Sequence, residues 1–211
     1  MSQLPDVPKE QIIAEPQARN TAPCIGLAAH ILQSQDKDSV MGVFPADHVI
    51  TDPKRYLRLI KPAFRAAEKK KIVVLGIQPR WAETGYGYIE FPDDVTPGAT
   101  KPYPVKRFRE KPDAKTAARY VKAGNYFWNA GMFFWRTDVF LEELAAHLPR
   151  TAGILDSLPA FSDPAFEADL QQKFPLCDNI SVDYAVMEKS KRVEGIAANQ
   201  IGWNDVGSWN A

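Results

Sequence analysis

Two aspartates stand at the ends of strand-like runs, where a carboxylate could hold a metal ion. The run VMGVF, residues 40–44, leads into Pro-Ala-Asp-His, so Asp47 and His48 lie where this strand leaves its sheet. Asp205 lies in the turn WNDVG near the other end of the chain. Ligands of α/β proteins bind at such strand ends, and one or two carboxylates suffice for Mg²⁺, which keeps other positions for water and phosphate. The alternative is that both aspartates close Asx turns and that His48 is a turn or packing residue.

A neighbouring acid and base occur in FREKPD, where an extended run meets Pro112. Glu110 and Lys111 should leave opposite faces of a strand, so they can act together only if the strand end twists or frays. The alternative is a solvated surface pair.

Two further segments carry residues that could bind a polar ligand. Gly85 and Gly87 in ETGYGYI allow close backbone approach, and Asn129 interrupts an aromatic run. These glycines could equally serve a turn, and Asn129 could mark a bulge. Aromatic residues around Asn129 are expected in the core.

The elements that must position these residues alternate between strand and helix, which is typical of βαβ units. QIIAE, VMGVF and IVVLGIQ are predicted strands, whereas APCIGLAAHILQ and residues 53–71 are predicted helices. A hairpin-like insertion is expected over residues 83–135, with a helix from Asp113 to Ala123 inside it. Helix then dominates to Lys189, and a final extended run ends in the WNDVG turn.

The balanced composition gives no support to a nucleic acid or a membrane as partner. The 211 residues are 45% hydrophobic, and 26 basic residues balance 26 acidic ones. Bulk charge therefore gives no reason to expect a nucleic acid or a membrane surface as partner. Cys24 and Cys177 lack metal-ligand spacing, which suits reduced thiols in the cytoplasm.

Seven motifs in one order resemble those of the mannose-1-phosphate guanylyltransferases, a group of sugar nucleotidyltransferases. The resemblance covers residues 15–209, nearly the whole chain, and it implies a mixed, Rossmann-like α/β sheet flanked by helices. It implies the reaction of GTP with mannose 1-phosphate, giving GDP-mannose and pyrophosphate, and leaves a homo-oligomer open. The motifs are EPQARNTAP, FPADH, ETGYGYI, FREKPD, YFWNAGMFFW, ISVDYAVMEK and WNDVGSW.

Roles for the motif residues follow from this resemblance. Asp47 and Asp205 match the ligands of Mg²⁺, and Lys111 matches the residue that holds the sugar phosphate. Gly87, Glu110 and Asn129 match the sugar site, with Glu83 and Thr84 shaping the loop. The nucleotide-side candidates are Arg19, Asn20 and Thr21, although Asn20 or Thr21 could simply cap the following helix.

One departure from the family concerns its glycine-rich loop, of the kind GGxGTRLWPLS, which binds the triphosphate and which this sequence lacks. We therefore interpret the chain as a nucleotidyltransferase domain that is incomplete at its N-terminus. If QIIAE is the third strand and VMGVF the fourth, the first two would lie between them. The chain alone is then expected to have little activity and to self-associate through unpaired strand edges.

Alternative functions remain open at this point. The chain could be a non-catalytic module that binds a sugar phosphate, or a nucleotidyltransferase for another hexose 1-phosphate. A metal-dependent glycosyltransferase would usually show two aspartates separated by one residue, which Asp47-His48-Val49 does not.

Overall fold

The structure is a computed structural model that describes residues 6–207. Nine strands and six α-helices alternate along this part of the chain, together with short 3-10 turns at Lys9–Gln11 and Phe174–Leu176 and a π-helical turn at Asp183–Met187. The strands are β1 Val40–Val43, β2 His48–Ile50, β3 Ile72–Ile77, β4 Tyr88–Glu90, β5 Tyr103–Pro104, β6 Arg107–Arg109, β7 Tyr126–Arg136, β8 Val193–Ala198 and β9 Trp203–Asp205. The helices are α1 Thr21–Gln35, α2 Pro53–Ala67, α3 Ala114–Ala123, α4 Thr137–His147, α5 Pro149–Asp156 and α6 Phe166–Lys173.

The main sheet has seven strands and is built around the long strand β7. Strand β3 pairs antiparallel with one edge of β7, and β1 and β4 pair with its other edge. Beyond β3 the sheet continues through the parallel strand β8 to β5, and beyond β4 it continues to β6. A separate two-stranded sheet joins β2 to β9, with His48 opposite Asp205. The segment predicted as an insertion thus supplies β4, β5, β6 and nearly all of β7 to the sheet.

Helices cover both faces of the sheet, because its central strands are apolar on both sides. In β3 every residue is buried, and Ile72 and Val74 face one core while Val73 and Leu75 face the other. The first core includes buried residues of α1, α4, α5 and α6, and the second includes those of α2 and α3. The predicted mixed α/β sheet flanked by helices is confirmed.

Local sequence signals fix the ends of two helices. Asp52 caps α2, since its Oδ1 accepts the backbone N–H of Arg55 at 3.0 Å. Asp113 caps α3 in the same way, accepting the N–H of Thr116 at 2.9 Å. Gly124 ends α3 with φ 80°, a left-handed conformation that glycine adopts without a Cβ clash. The bounds of α3 agree with the predicted helix from Asp113 to Ala123. Helix α2 ends at Ala67, before the predicted end at residue 71, because the chain turns there and Lys70 adopts a left-handed φ of 62°.

The prediction of a strand at QIIAE is wrong. Residues 9–11 form a 3-10 turn, and Ile12 and Ile13 that follow are exposed. No described strand pairs with this segment, so neither isoleucine has a sheet face against which it could be buried. The strand order built on QIIAE as the third strand therefore fails, and β1 pairs only with β7 among residues 6–207.

The predicted interruption of the aromatic run is a bulge inside one continuous strand. The β3–β7 register shifts between Val74 and Gly76, and Gly131 has φ 64°. The aromatic residues from Phe127 to Trp135 are buried as expected. The bulge changes the direction of the Asn129 side chain without ending the strand. That direction matters for the candidate functional site.

Within the described residues, none of the helices combines the length and the apolar composition needed to cross a lipid bilayer.

Candidate functional site

Pairing of β2 with β9 brings Asp47 and Asp205 together. The backbone N–H of Val206 donates to the carbonyl of Asp47 at 3.1 Å, which fixes the two loops against each other. Potential ligand atoms of Asp47, His48 and Asp205 all lie within 4.8 Å of one another. Two carboxylates at this spacing can reach one Mg²⁺ at roughly 2.1 Å per ligand. The arrangement is what a shared cation requires, and metal binding itself stays a prediction.

The surroundings of the two carboxylates suit a cation that keeps several waters. The Asp47 side chain is 59% exposed, so water and phosphate oxygens can approach it. The N–H of Gly207 donates to Asp205 Oδ1 at 2.9 Å and thereby holds one carboxylate in place. A Cβ at Gly207 would lie only 2.6 Å from Asp47 Oδ2, so glycine allows this close approach.

His48 is oriented by the indole of Trp203. Because the indole Nε1–H can only donate, its 3.2 Å hydrogen bond requires an unprotonated Nδ1 on His48. In the neutral imidazole the proton then lies on Nε2, which is 3.8 Å from Asp47 Oδ1. Burial lowers the pKa of His48, while Asp205 and Asp47 oppose that shift. His48 thus directs an N–H, not a lone pair, at Asp47, and it packs edge-on against Trp203.

A second cluster forms where β4 and β6 meet the bulge of β7. The N–H of Asn129 donates to the carbonyl of Gly87 at 2.8 Å. A Cβ at Gly87 would overlap Glu110 Oε2 and would lie 3.3 Å from the Asn129 Cβ. Glu110 Oε2 is buried and has no hydrogen-bond partner among the described residues. A buried acceptor of this kind needs a donor, and a ligand hydroxyl could supply one.

Glu110 and Lys111 form a close ion pair because the backbone turns sharply after β6. Lys111 has φ 41°, so its side chain folds back and its Nζ donates to Glu110 Oε1 at 2.8 Å. The departure from strand geometry that these two side chains need in order to act together is therefore present. The Glu110 side chain is 8% exposed and that of Lys111 is 57% exposed. The hydrogen bond to Glu110 raises the pKa of Lys111, so the ammonium is charged and open to an anion.

Asp183 is a member of this cluster that the sequence analysis missed. It begins the π-helical turn, and its Oδ1 accepts the side-chain Nδ2–H of Asn129 at 3.0 Å. Burial raises the pKa of Asp183 to about 6, and the charge of Glu110 adds to the shift. The motif ISVDYAVMEK was recognised, but nothing in its spacing distinguished this aspartate from a helix-surface residue.

Packing contacts connect the two clusters. A Cβ at Gly131, in the bulge, would lie 3.2 Å from Pro45 Cγ and 3.8 Å from His48 Cε1. The ring of Tyr86, beside Gly87, packs 5.4 Å from that of Trp203, two residues before Asp205. The carboxylate pair therefore adjoins the Gly87, Glu110 and Asn129 cluster through direct packing.

The loop before Gly87 is shaped by Glu83. This carboxylate accepts hydrogen bonds from Trp81 Nε1 at 2.9 Å and from the backbone N–H groups of Thr84 and Gly85. The hydrogen bond from Trp81, followed by that from Gly85, lowers the pKa of Glu83. Glu83 and Thr84 thus organise the loop through bonds within it.

The side chains of the nucleotide-side candidates, of which Asn20 and Thr21 are exposed, form hydrogen bonds within the chain. Arg19 donates to the carbonyl of Pro175, and Thr21 Oγ1 accepts the N–H of Val182 at 2.9 Å. Asn20 is the N-cap of α1, and its Oδ1 accepts the N–H of Thr21 at 2.9 Å. Segment 19–21 is thereby tied to the residue just before Asp183, and nucleotide contact by its side chains stays a prediction.

Replacing Gly87 by alanine is expected to lower the free energy of unfolding by about 1–3 kcal/mol, the usual cost of overpacking. The added methyl must displace the buried Glu110 carboxylate or the backbone of β4. Gly153→Ala is the matched control, because a Cβ there meets nothing within 4 Å and lies in α5. Thermal melting compares both variants with the unchanged protein, and Gly153→Ala should melt slightly higher because alanine favours the helix. A melting temperature of Gly87→Ala equal to that of the unchanged protein would show that Glu110 moves away without cost.

Comparisons with known proteins point in one direction. The family described as "Nucleotidyl transferase" matches residues 2–211. The chain is 42% identical over 207 residues to the alginate biosynthesis protein AlgA of Pseudomonas fluorescens, covering 95% of this chain and 41% of that protein. It is also 42% identical over 207 residues to a mannose-1-phosphate guanylyltransferase of Escherichia coli, covering 95% of this chain and 43% of that protein. The chain thus spans about two-fifths of the length of these relatives.

Among solved structures, the fold resembles one described as a mannose-1-phosphate geranyltransferase from Thermus thermophilus. The TM-score is 0.79 at 32% sequence identity, with 93% of this chain and 55% of that chain covered. The similarity extends over nearly all of the described residues.

Proposed function

The chain belongs to the nucleotidyl transferase family, and from this premise we propose that the protein transfers a guanylyl group from GTP to mannose 1-phosphate. The products are GDP-mannose and pyrophosphate. The relatives named above for mannose 1-phosphate support the choice of sugar. Cytoplasmic location, where both substrates would be available, is part of the same proposal.

The observation that carries this proposal is the packing of two unlike clusters against each other. One offers two carboxylates within 4.8 Å, suited to a divalent cation. The other offers a buried carboxylate oxygen without a partner beside an exposed ammonium. A hexose phosphate bound at the second cluster would extend its phosphate toward a cation at the first.

Asp47 and Asp205 would hold Mg²⁺, since carboxylate oxygens are ligands that this ion prefers and Asp47 leaves room for water. When bound, the ion would neutralise phosphate charge and orient both substrates.

The chain's own residues bind and orient the sugar phosphate. Lys111 pairs with the phosphate, leaving one phosphate oxygen to attack the α-phosphorus of GTP in line while pyrophosphate departs. Glu110 accepts a sugar hydroxyl through its free Oε2, and Asn129 adds a side-chain amide. Gly87 has no Cβ, which leaves the space beside Glu110 Oε2 and Asn129 free of a side chain. Positioning and electrostatics carry the rate, so no protein nucleophile is required.

The nucleotide side of the proposal rests on segment 19–21, which adjoins the turn carrying Asp183. Arg19, Asn20 and Thr21 bond to nearby backbone. We therefore assign them to fixing the loop that faces the nucleotide.

The test is pyrophosphate release by the protein with GTP, ATP or UTP and with the 1-phosphates of mannose, glucose or galactose. Binding of each sugar phosphate to the 211-residue chain is measured beside it by isothermal titration calorimetry. We expect the highest turnover with GTP plus mannose 1-phosphate and saturable binding of mannose 1-phosphate.

Two outcomes would contradict the proposal in different ways. Turnover of another nucleotide and hexose would move the protein to a different specificity within the family. Sugar-phosphate binding without pyrophosphate release at any pair, and without binding of any of the three nucleotides, would favour a binding module.

A further inference from the structure

Hydrogen bonds at its oxygen and at its nitrogen fix the orientation of the Asn129 side-chain amide. Its Oδ1 accepts the backbone N–H of Gly131 at 2.9 Å, and its Nδ2–H donates to Asp183 Oδ1 at 3.0 Å. A backbone N–H can only donate and an ionised carboxylate can only accept. Reversing the amide would break both bonds, so Asn129 is left with one amide hydrogen to offer to a ligand.

Asp183 can impose this orientation because its own backbone is fixed. The N–H of Val182, just before it, donates to Thr21 Oγ1 at 2.9 Å. The carbonyl of Asp183 accepts the N–H of Glu188 at 2.9 Å, which closes the π-helical turn. Single π-helical turns occur frequently at functional sites. Asp183 is thus anchored on both sides, independently of Asn129.

The surroundings of Asp183 on balance disfavour its ionised carboxylate. It faces Glu110, which repels it, and Lys111, which attracts it, while burial disfavours its charge. Tyr184 and Asp183 both lie near the Lys111 ammonium. The hydrogen bond from Asn129 favours the ionised form, so the two side chains stabilise each other's arrangement.

We propose that Asp183 is a positioning residue of the sugar site, holding the amide of Asn129 so that its second N–H faces a sugar hydroxyl oxygen. This inference rests on the proposed function, because it takes the ligand to be a hexose phosphate. It assigns Asp183 to recognition of the hexose, whereas Lys111 recognises the phosphate.

A double-mutant cycle tests the coupling. Asp183→Ala and Asn129→Ala are each expected to weaken mannose 1-phosphate binding about tenfold, the loss of roughly one hydrogen bond. The double variant should be no weaker than the weaker single variant, because both changes remove the same contact. Asp183→Asn should stay within about threefold of the unchanged protein, since its Oδ1 can still accept from Asn129.

Asp178→Ala is the matched control, because Asp178 also accepts a side-chain hydrogen bond, from Thr151 at 2.7 Å. It should lower the melting temperature without changing affinity. Additive losses in the cycle, or a tenfold loss with Asp183→Asn, would overturn the proposal.

A readout without ligand separates this inference from the proposed function. In side-chain amide NMR spectra, one Asn129 proton should exchange slowly with solvent, and its protection should vanish in Asp183→Ala and persist in Asp183→Asn. If the protein binds a different hexose phosphate, the cycle is repeated with that ligand, and its result decides whether the inference holds. An Asn129 signal that is unchanged in Asp183→Ala would overturn it whatever the protein binds.

Discussion

Asp47→Asn and Asp205→Asn are each expected to reduce divalent metal affinity by about 100-fold or more. Residues that merely orient a metal ligand contribute roughly 10- to 100-fold, and removal of a ligand itself should cost at least as much. Turnover should fall about 1000-fold, because a metal contributes several kcal/mol of charge stabilisation and each ~1.36 kcal/mol is a factor of ten.

The measurement is titration of the chain with Mn²⁺, followed by electron paramagnetic resonance, with pyrophosphate release measured in parallel. Asp94→Asn makes the same chemical change at an exposed aspartate in the loop after β4 and should leave Mn²⁺ affinity unchanged. The double variant Asp47→Asn/Asp205→Asn should bind no more strongly than background. Full Mn²⁺ affinity in either single variant would remove that aspartate from the metal site.

The sequence predicted those features of the fold that depend on short-range patterns. The start of α3 at Asp113 and its left-handed end at Gly124 are each decided within a few residues. QIIAE failed because an extended run becomes a strand only where a sheet edge accepts it, and its isoleucines find none among the described strands. Strand identity here is set by long-range pairing, which local β-propensity does not reveal.

The same distinction explains the candidate site. The family resemblance indicated that Asp47 and Asp205 act together, whereas the strand pattern alone left Asx turns open. Their proximity depends on the small β2–β9 sheet, in which Asp205 belongs to strand β9 and not to the predicted turn. Asp183 was missed because its partner Asn129 lies 54 residues away and is aimed by a bulge. Likewise the hydrogen bond from the Val182 N–H to Thr21 Oγ1 spans 161 residues. The local sequence around Thr21 therefore does not show whether its hydroxyl is free or bonded.

Replacing Lys111 by alanine is expected to weaken mannose 1-phosphate binding about 10- to 100-fold and to change GTP binding much less. A charge-assisted hydrogen bond to a phosphate contributes roughly 1.5–3 kcal/mol, and only one substrate loses its partner. Unphosphorylated mannose should bind Lys111→Ala and the unchanged protein equally, which isolates the phosphate as the group recognised. Lys115→Ala, an exposed lysine in the first turn of α3, is the matched control.

Lys111 is also paired with Glu110, so Lys111→Ala changes the charge balance of Glu110 as well as phosphate binding. A double variant separates these two effects. Without Lys111 the carboxylate of Glu110, 8% exposed, loses its counter-ion, which should lower the melting temperature. The variant Glu110→Gln/Lys111→Ala removes that unpaired charge, so its melting temperature should recover relative to Lys111→Ala. Its affinity for mannose 1-phosphate should stay below that of Glu110→Gln alone, because only the double variant lacks the phosphate partner. Recovery of affinity together with stability would show that Lys111 neutralises Glu110 and does not bind phosphate.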